Sequence, residues 1–298
     1  GLQELVGAGV LDRDGQEARL GVWSRRAGEW QLLRDALVFP IARGQRRLAV
    51  QTIVPCDVDA DGQIDLFVGV YGHERSRGES YNTIEAHDGA DNHLFVNRGG
   101  LCFSEESDAR GIFGTQYTYV AFAFDFDADG DEDLWEGNDF GPNVLWENDG
   151  TGHFLAGKDS VFAGDSSYTM GVSLADYDDE GVWSLYAANM SAEAGSRILA
   201  IAPGLDERMR ARIQGIAGGN ALYRQAPDGK SWSRVPAAAG AWEGEWAWGS
   251  VFFDADDDGD QELYVTNGFS SHSRRELPDW DSQYWHQVVA DGRSLMRK

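Results

Sequence analysis

Three stretches of this sequence place carboxylates at alternate positions around a glycine. They read Asp57-Val-Asp59-Ala-Asp61-Gly62-Gln63-Ile-Asp65, Asp125-Phe-Asp127-Ala-Asp129-Gly130-Asp131-Glu-Asp133 and Asp254-Ala-Asp256-Asp-Asp258-Gly259-Asp260-Gln-Glu262. This is calcium chemistry. Ca²⁺ is a hard cation that takes about 6–8 oxygens at about 2.3–2.6 Å, and alternate side chains of a tight loop converge on one point. The glycine at position six permits the backbone turn that wraps the loop. The expected ligands are Asp57, Asp59, Asp61 and Asp65 with the Gln63 carbonyl, then Asp125, Asp127, Asp129 and Asp133 with the Asp131 carbonyl. In the last copy they are Asp254, Asp256, Asp258 and Glu262 with the Asp260 carbonyl.

Two other readings compete. An EF-hand loop ends with Glu at position twelve; Glu136 stands there in one copy, but Val68 and Val265 do in the others, before strand-like sequence. Solvated acidic turns without an ion are the plainer alternative, since Asp and Gly are common in turns. Repetition in register argues against it, as does the mutual repulsion of four carboxylates in one short loop. A further copy at Asp176, Asp178 and Glu180 keeps the frame but has Ser184 at position nine, so it is a weaker ligand set. A trace at Asp12 and Asp14 keeps too few acids to hold an ion.

The loops recur inside a larger repeat. A short apolar segment precedes each, such as Tyr119–Phe124 or Trp248–Phe253, and a β-type run follows. Five residues past position nine come Val70, Asn138, Asn189 and Asn267, the asparagines being suited to turns. Asn-x-Leu-aromatic segments follow at Asn92, Asn143 and Asn220, and closing aromatics at Phe103, Phe154 and Trp232. Each unit therefore reads as four strands, with the acidic loop between the first and second. Such units are blades of an all-β fold, a β-propeller. The clear units are 48–108, 118–165, 169–237 and 246–298, with a vestigial one at 5–40, in a single domain covering 1–298. The spacing predicts one short surface helix near 205–213, within an insertion. No Asn-x-Leu-aromatic segment follows the last loop, so the last unit lacks its third strand. Exposed edges would then invite assembly with another chain.

These repeats resemble the FG-GAP/VCBS calcium-loop repeats of integrin-α-type propellers. The later part resembles proteins similar to cartilage acidic protein, carrying the UnbV label. The residues that carry this are Met170–Asp176, Tyr186–Met190, Gly219–Tyr223, Trp246–Gly249, Tyr264–Gly268 and Tyr284–Val289. The resemblance implies a secreted, calcium-stabilised propeller with roles in adhesion or assembly and no established catalysis.

Composition narrows the class of partner. With 50 acidic and 25 basic residues the formal charge is −25, which argues against nucleic-acid binding and against basic attachment to anionic lipid. The longest apolar run is far short of a membrane span. Cys56 and Cys102 are too few for a disulfide scaffold. Gly1 opens the chain without an initiator Met, so a processed product or a piece of a longer chain is expected. Gly152–Asp159 nearly spells a phosphate-binding loop, but Asp159 stands where Ser or Thr is needed. Asn189-Met-Ser191 is a glycosylation sequon. Trp242, Trp246 and Trp248 serve either packing or the stacking of a sugar ring. The expectation is a non-enzymatic adhesion or assembly module that binds Ca²⁺, lies outside the cytosol or at the cell surface, and meets a protein or surface polymer. Its alternative is a lectin or carbohydrate-active enzyme on the same scaffold.

Overall fold

The computed structural model describes residues 4–7, 17–41, 48–73, 83–84, 86–157, 160–162, 166–268 and 280–297. Asp12 and Asp14, and Lys158 and Asp159 of the phosphate-loop-like run, lie outside these residues. The chain opens with β1 (Glu4–Gly7), β2 (Glu17–Arg26) and β3 (Glu29–Pro40), an antiparallel three-stranded sheet. The vestigial unit expected at 5–40 falls on this sheet, and its residues 8–16 lie outside the described ones.

Three four-stranded antiparallel meanders follow. The first is β4 (Leu48–Cys56), β5 (Asp65–His73), β6 (His93–Asn97) and β7 (Phe103–Glu105). The second is β8 (Tyr117–Phe124), β9 (Asp133–Asp139), β11 (Val144–Asn148) and β12 (Phe154–Ala156); β10 (Gly141–Pro142) pairs instead with β13 (Ser166–Ser167). The third is β14 (Thr169–Ala175), β15 (Ser184–Asn189), β16 (Ala221–Gln225) and β17 (Trp232–Arg234). The last sheet has two strands among the described residues, β18 (Ala247–Phe253) and β19 (Glu262–Asn267). The first strand of each of these four sheets skips one residue of register at the same place, at Gln51, Tyr119, Met170 and Trp248. A bulge repeated in this way marks the sheets as copies of one unit.

Side-chain alternation along the second strands builds the cores. From β5, Leu66, Val68 and Val70 enter a core with Leu20 and Phe39 of the first sheet, whereas Phe67 enters another with Leu134 and Trp146 of the next. Trp135 and Leu145 then pack on Leu185 and Tyr223, and Tyr186 and Ala188 on Ala247. The three four-stranded sheets are thus sandwiched between neighbours, which explains why β5, β9 and β15 are buried along nearly their whole length, whereas β19 of the last sheet is largely exposed.

Three helices among the described residues, against the one expected, correct the all-β expectation to mostly β. The single surface helix expected near 205–213 is a pair, α1 (Glu193–Ile201) and α2 (Glu207–Ile216). α2 is amphipathic: Met209, Ile213 and Ile216 form an i, i+4, i+7 stripe that is buried, while Glu207, Arg208, Ala211 and Gln214 are exposed. Residues 280–295, assigned by the repeat to the last unit, form α3 (Trp280–Leu295). Trp285, Val288 and Val289 of α3 pack with Ile198, Leu199 and Ile213. Gly195 is needed there, because a Cβ would come within 2.7 Å of the Trp285 ring.

Of the asparagines read as turn formers, Asn138 and Asn189 are buried and Asn267 is exposed; the asparagines of the Asn-x-Leu-aromatic segments are buried ties. Asn92, Asn143 and Asn220 accept the backbone N–H of Val70, Asn138 and Asn189 at 2.8, 2.9 and 2.7 Å. A threonine of the following sheet closes the link: Asn92 Nδ2 donates to Thr118 Oγ1 at 2.8 Å, and Thr169 Oγ1 lies 3.0 Å from Asn143 Oδ1. Buried polar groups persist only when paired, so these side chains fix how one sheet sits on the next.

Candidate metal centre and adjoining cleft

The acidic loops run between the first and second strands of the four repeated sheets. In each, the position-one carboxylate accepts the N–H groups of positions five and six. Asp57 takes those of Asp61 and Gly62, Asp125 those of Asp129 and Gly130, Asp176 those of Glu180 and Gly181, and Asp254 those of Asp258 and Gly259. Position six is left-handed every time, at φ +82°, +101°, +74° and +99°, where glycine is unstrained. The N–H groups of Gln63, Asp131 and Asp260 donate to the position-five carboxylates.

Carboxylate oxygens converge in three loops. One oxygen each from Asp57, Asp59 and Asp61 lie within 4.8 Å of one another, as do those of Asp125, Asp127 and Asp133, and of Asp254, Asp256 and Glu262. Asp65, Asp129 and Asp258 stand outside these groups. Position nine has a second task. Asp65 accepts the N–H groups of Val58 and Asn97, Asp133 those of Phe126 and Asn148, and Glu262 that of Ala255. The tentative ligands Asp176, Asp178 and Glu180 form no such group among the described residues; Asp178 and Glu180 are paired with Arg224.

The donors fit calcium. They are all oxygens, and Asp59 Oδ1 and Asp131 Oδ1 are buried without a hydrogen-bond partner. Burial, then the neighbouring Asp129 and Asp127, pushes the Asp131 carboxyl up to about 6. Burial likewise raises Asp133 to about 7, against the pull of the Asn148 and Phe126 N–H groups. Carboxyls under this repulsion are what a divalent cation relieves.

Neighbouring loops are tied together by residues with no metal-ligand signature in the sequence. Glu132 accepts the Asp57 N–H at 2.7 Å, and Asn148 Nδ2 donates to the Val58 carbonyl at 2.9 Å. Arg110 bonds Asp59 at 3.0 Å and reaches the Thr151 carbonyl at 2.6 Å. Farther along, the Gln261 N–H donates to the Tyr177 carbonyl at 2.8 Å.

A cleft of about 700 Å³ opens beside the 125–133 loop. Its lining includes Asp127 and Asp133, Glu147 and the aromatic Phe113, Phe126 and Trp232. Phe113 is 65% exposed, and Trp232 is anchored by its indole N–H on the Phe126 carbonyl at 2.8 Å. Of the other tryptophans, Trp246 packs on Tyr284, while Trp242 and Trp248 are exposed. The sequon residue Asn189 is buried within the asparagine ties, which removes it as a glycosylation acceptor in the folded chain. Cys56 is buried, Cys102 is exposed, and both are free thiols. Among the described residues no helix is long and apolar enough to cross a membrane.

Two buried acids, Glu136 and Asp139, lie apart from the loops. Asp139 accepts the Tyr71 hydroxyl at 2.8 Å through Oδ2, and its Oδ1 has no partner. Burial raises its carboxyl to about 7.

No protein-family model matches this chain, and no curated protein does. Among solved structures, one similar chain is a GH43 β-1,3-galactosidase determined with galactodeoxynojirimycin. It is 9% identical, with a TM-score of 0.36, over 87% of this chain and 84% of that one. That protein is a glycosidase. This finding goes against the expected non-enzymatic adhesion module and against the expectation of no enzyme, and it falls on the side of the carbohydrate-active alternative. At this distance it transfers no residue role.

Proposed function

We propose that this protein is a calcium-binding β-propeller of the FG-GAP/VCBS type and is carbohydrate-active, working outside the cytosol. The propeller reading is supported by repeated sheets that pack in chain order, each with the same bulge and the same loop. The calcium reading is supported by the three converging carboxylate groups. Extracellular modules bind calcium at about 10⁻⁴–10⁻³ M, which suits surroundings where the ion is millimolar.

One observation carries the carbohydrate reading. Asp127 and Asp133 belong both to a converging carboxylate group and to the lining of the large cleft. Asp125, Asp127 and Asp133 would hold the ion, and three carboxylates leave coordination positions that sugar hydroxyls can fill. The aromatic wall at Phe113 and Trp232 offers apolar faces to a pyranose ring, and Glu147 supplies a hydrogen-bond acceptor.

A glycan panel probed with calcium and with EGTA tests this, followed by an assay for newly released reducing ends. Calcium-dependent retention, lost in Asp127→Ala and in Trp232→Ala, is expected. Failure to retain any glycan in calcium would overturn the carbohydrate reading.

A further inference from the structure

The loop at 176–184 poses a problem that the other three do not. It has the same fold: Asp176 accepts the Glu180 and Gly181 N–H groups, and Asp179 and Gly181 are left-handed like their counterparts. It nevertheless lacks the ninth acid, because Ser184 stands where Asp65, Asp133 and Glu262 stand elsewhere.

Strand register locates the compensation. Ser184 pairs with Arg224 across β15 and β16. In the second sheet Leu134 pairs with Trp146, which sets Asp133 opposite Glu147; in the first, Leu66 pairs with Phe95, which sets Asp65 opposite Val96. The facing position is therefore apolar or acidic beside a ninth-position acid, and basic beside the serine. The Arg224 guanidinium turns back into the loop. Its Nη1 lies 2.8 Å from Asp178 Oδ2, and its Nη2 lies 3.1 Å from Asp178 Oδ1 and 2.9 Å from Glu180 Oε2. Its Cζ sits 5.2 Å over the Tyr177 ring. A planar fork paired with a carboxylate through two nitrogens and laid on an aromatic face is a strong and specific use of arginine.

We infer that Arg224 is the resident cation of the 176–184 loop, standing where a divalent ion stands in the other three, so that this loop folds without calcium. The inference rests on the calcium reading above for the other loops. It also gives the loop a structural role. Tyr177 stacks on Phe252 of β18 at 6.0 Å, and its carbonyl holds the Gln261 N–H of the last acidic loop. The calcium-independent loop thus anchors the last sheet whatever the calcium level.

Ions are counted by native mass spectrometry and calorimetry on the whole chain, and melting is followed in calcium and in EGTA. Wild type is expected to bind three ions. Arg224→Gln is expected to lower the melting temperature in EGTA by as much as in calcium. Paired Ser184→Asp and Arg224→Glu substitutions, which copy the second sheet, should raise the count by one. Four ions in wild type, or an Arg224→Gln melting temperature unchanged in EGTA, would overturn the assignment. If wild type binds no ion, the calcium reading fails, while the EGTA melting of Arg224→Gln still decides whether the guanidinium holds the loop.

Discussion

The main-chain N–H of Asp57 donates to the Glu132 carboxylate at 2.7 Å, so the first residue of one acidic loop is held by the eighth residue of the next. The contact makes the two loops one mechanical unit. An ion that orders the 125–133 loop also fixes the acceptor on which the 57–65 loop closes.

Glu132→Ala is therefore expected to affect a loop to which it contributes no ligand. Loss of a charged acceptor costs about 1.5–3 kcal/mol. Calcium affinity should fall at both 57–65 and 125–133 and stay unchanged at 254–262. Titration of the variant, with single-loop knockouts to separate the sites, checks this. An effect confined to 125–133 would contradict the coupling.

Asn143 is the clearest of the inter-sheet ties. Its Oδ1 serves the Asn138 N–H and the Thr169 hydroxyl in one buried spot. Asn143→Ala leaves the Asn138 N–H without its acceptor, at about 1–3 kcal/mol, while the Thr169 hydroxyl keeps Asn189 Oδ1 at 2.7 Å. Chemical denaturation should show a loss of about 1–3 kcal/mol on that principle, with the secondary structure retained. A variant as stable as wild type would show that the tie is incidental.

Much of this architecture was legible in the sequence, and the reason is periodicity. The acidic frame fixes where the first and second strands meet, and Asn-x-Leu-aromatic marks the third. What stayed hidden depends on contacts between units. Asn138 and Asn189 look like turn residues because a local reading pairs them with their own backbone, whereas they are satisfied by Asn143 and Asn220 from the next strand. Helix α3 was missed because Tyr284-Trp285-His286 reads as strand-like and its burial comes from α1 and α2. Arg224 carried no signal until strand register set it opposite Ser184.

Asp139 gives a pH prediction with a definite sign. Its carboxyl stands at about 7 in the folded chain against 3.8 for the free group. The titratable groups facing it are Tyr71 on β5, Tyr119 on β8, Tyr168 before β14 and Tyr284 on α3, the two last being also within reach of Asp291. With the folded value raised, the folded state holds a proton that the unfolded chain has released. The group's contribution is therefore full below about pH 4 and lost as pH rises to about 7. Asp139→Asn mimics the protonated acid. The gap between its melting temperature and that of wild type should widen in its favour from about pH 4 to about pH 7 and stay constant above. The loop carboxylates titrate in both proteins and cancel in the difference. A gap independent of pH would contradict the assignment.

The central claim is that three acidic loops hold calcium and that the ions stabilise the fold. Melting temperature in saturating calcium against EGTA tests it most directly. A ligand that binds only the folded state adds RT ln(1 + [L]/Kd), about 2.7 kcal/mol per site at 100-fold saturation. Three such sites predict a rise of many degrees in calcium, reduced stepwise as Asp57→Ala, Asp125→Ala and Asp254→Ala are combined. The same melting temperature in calcium and in EGTA would contradict the account.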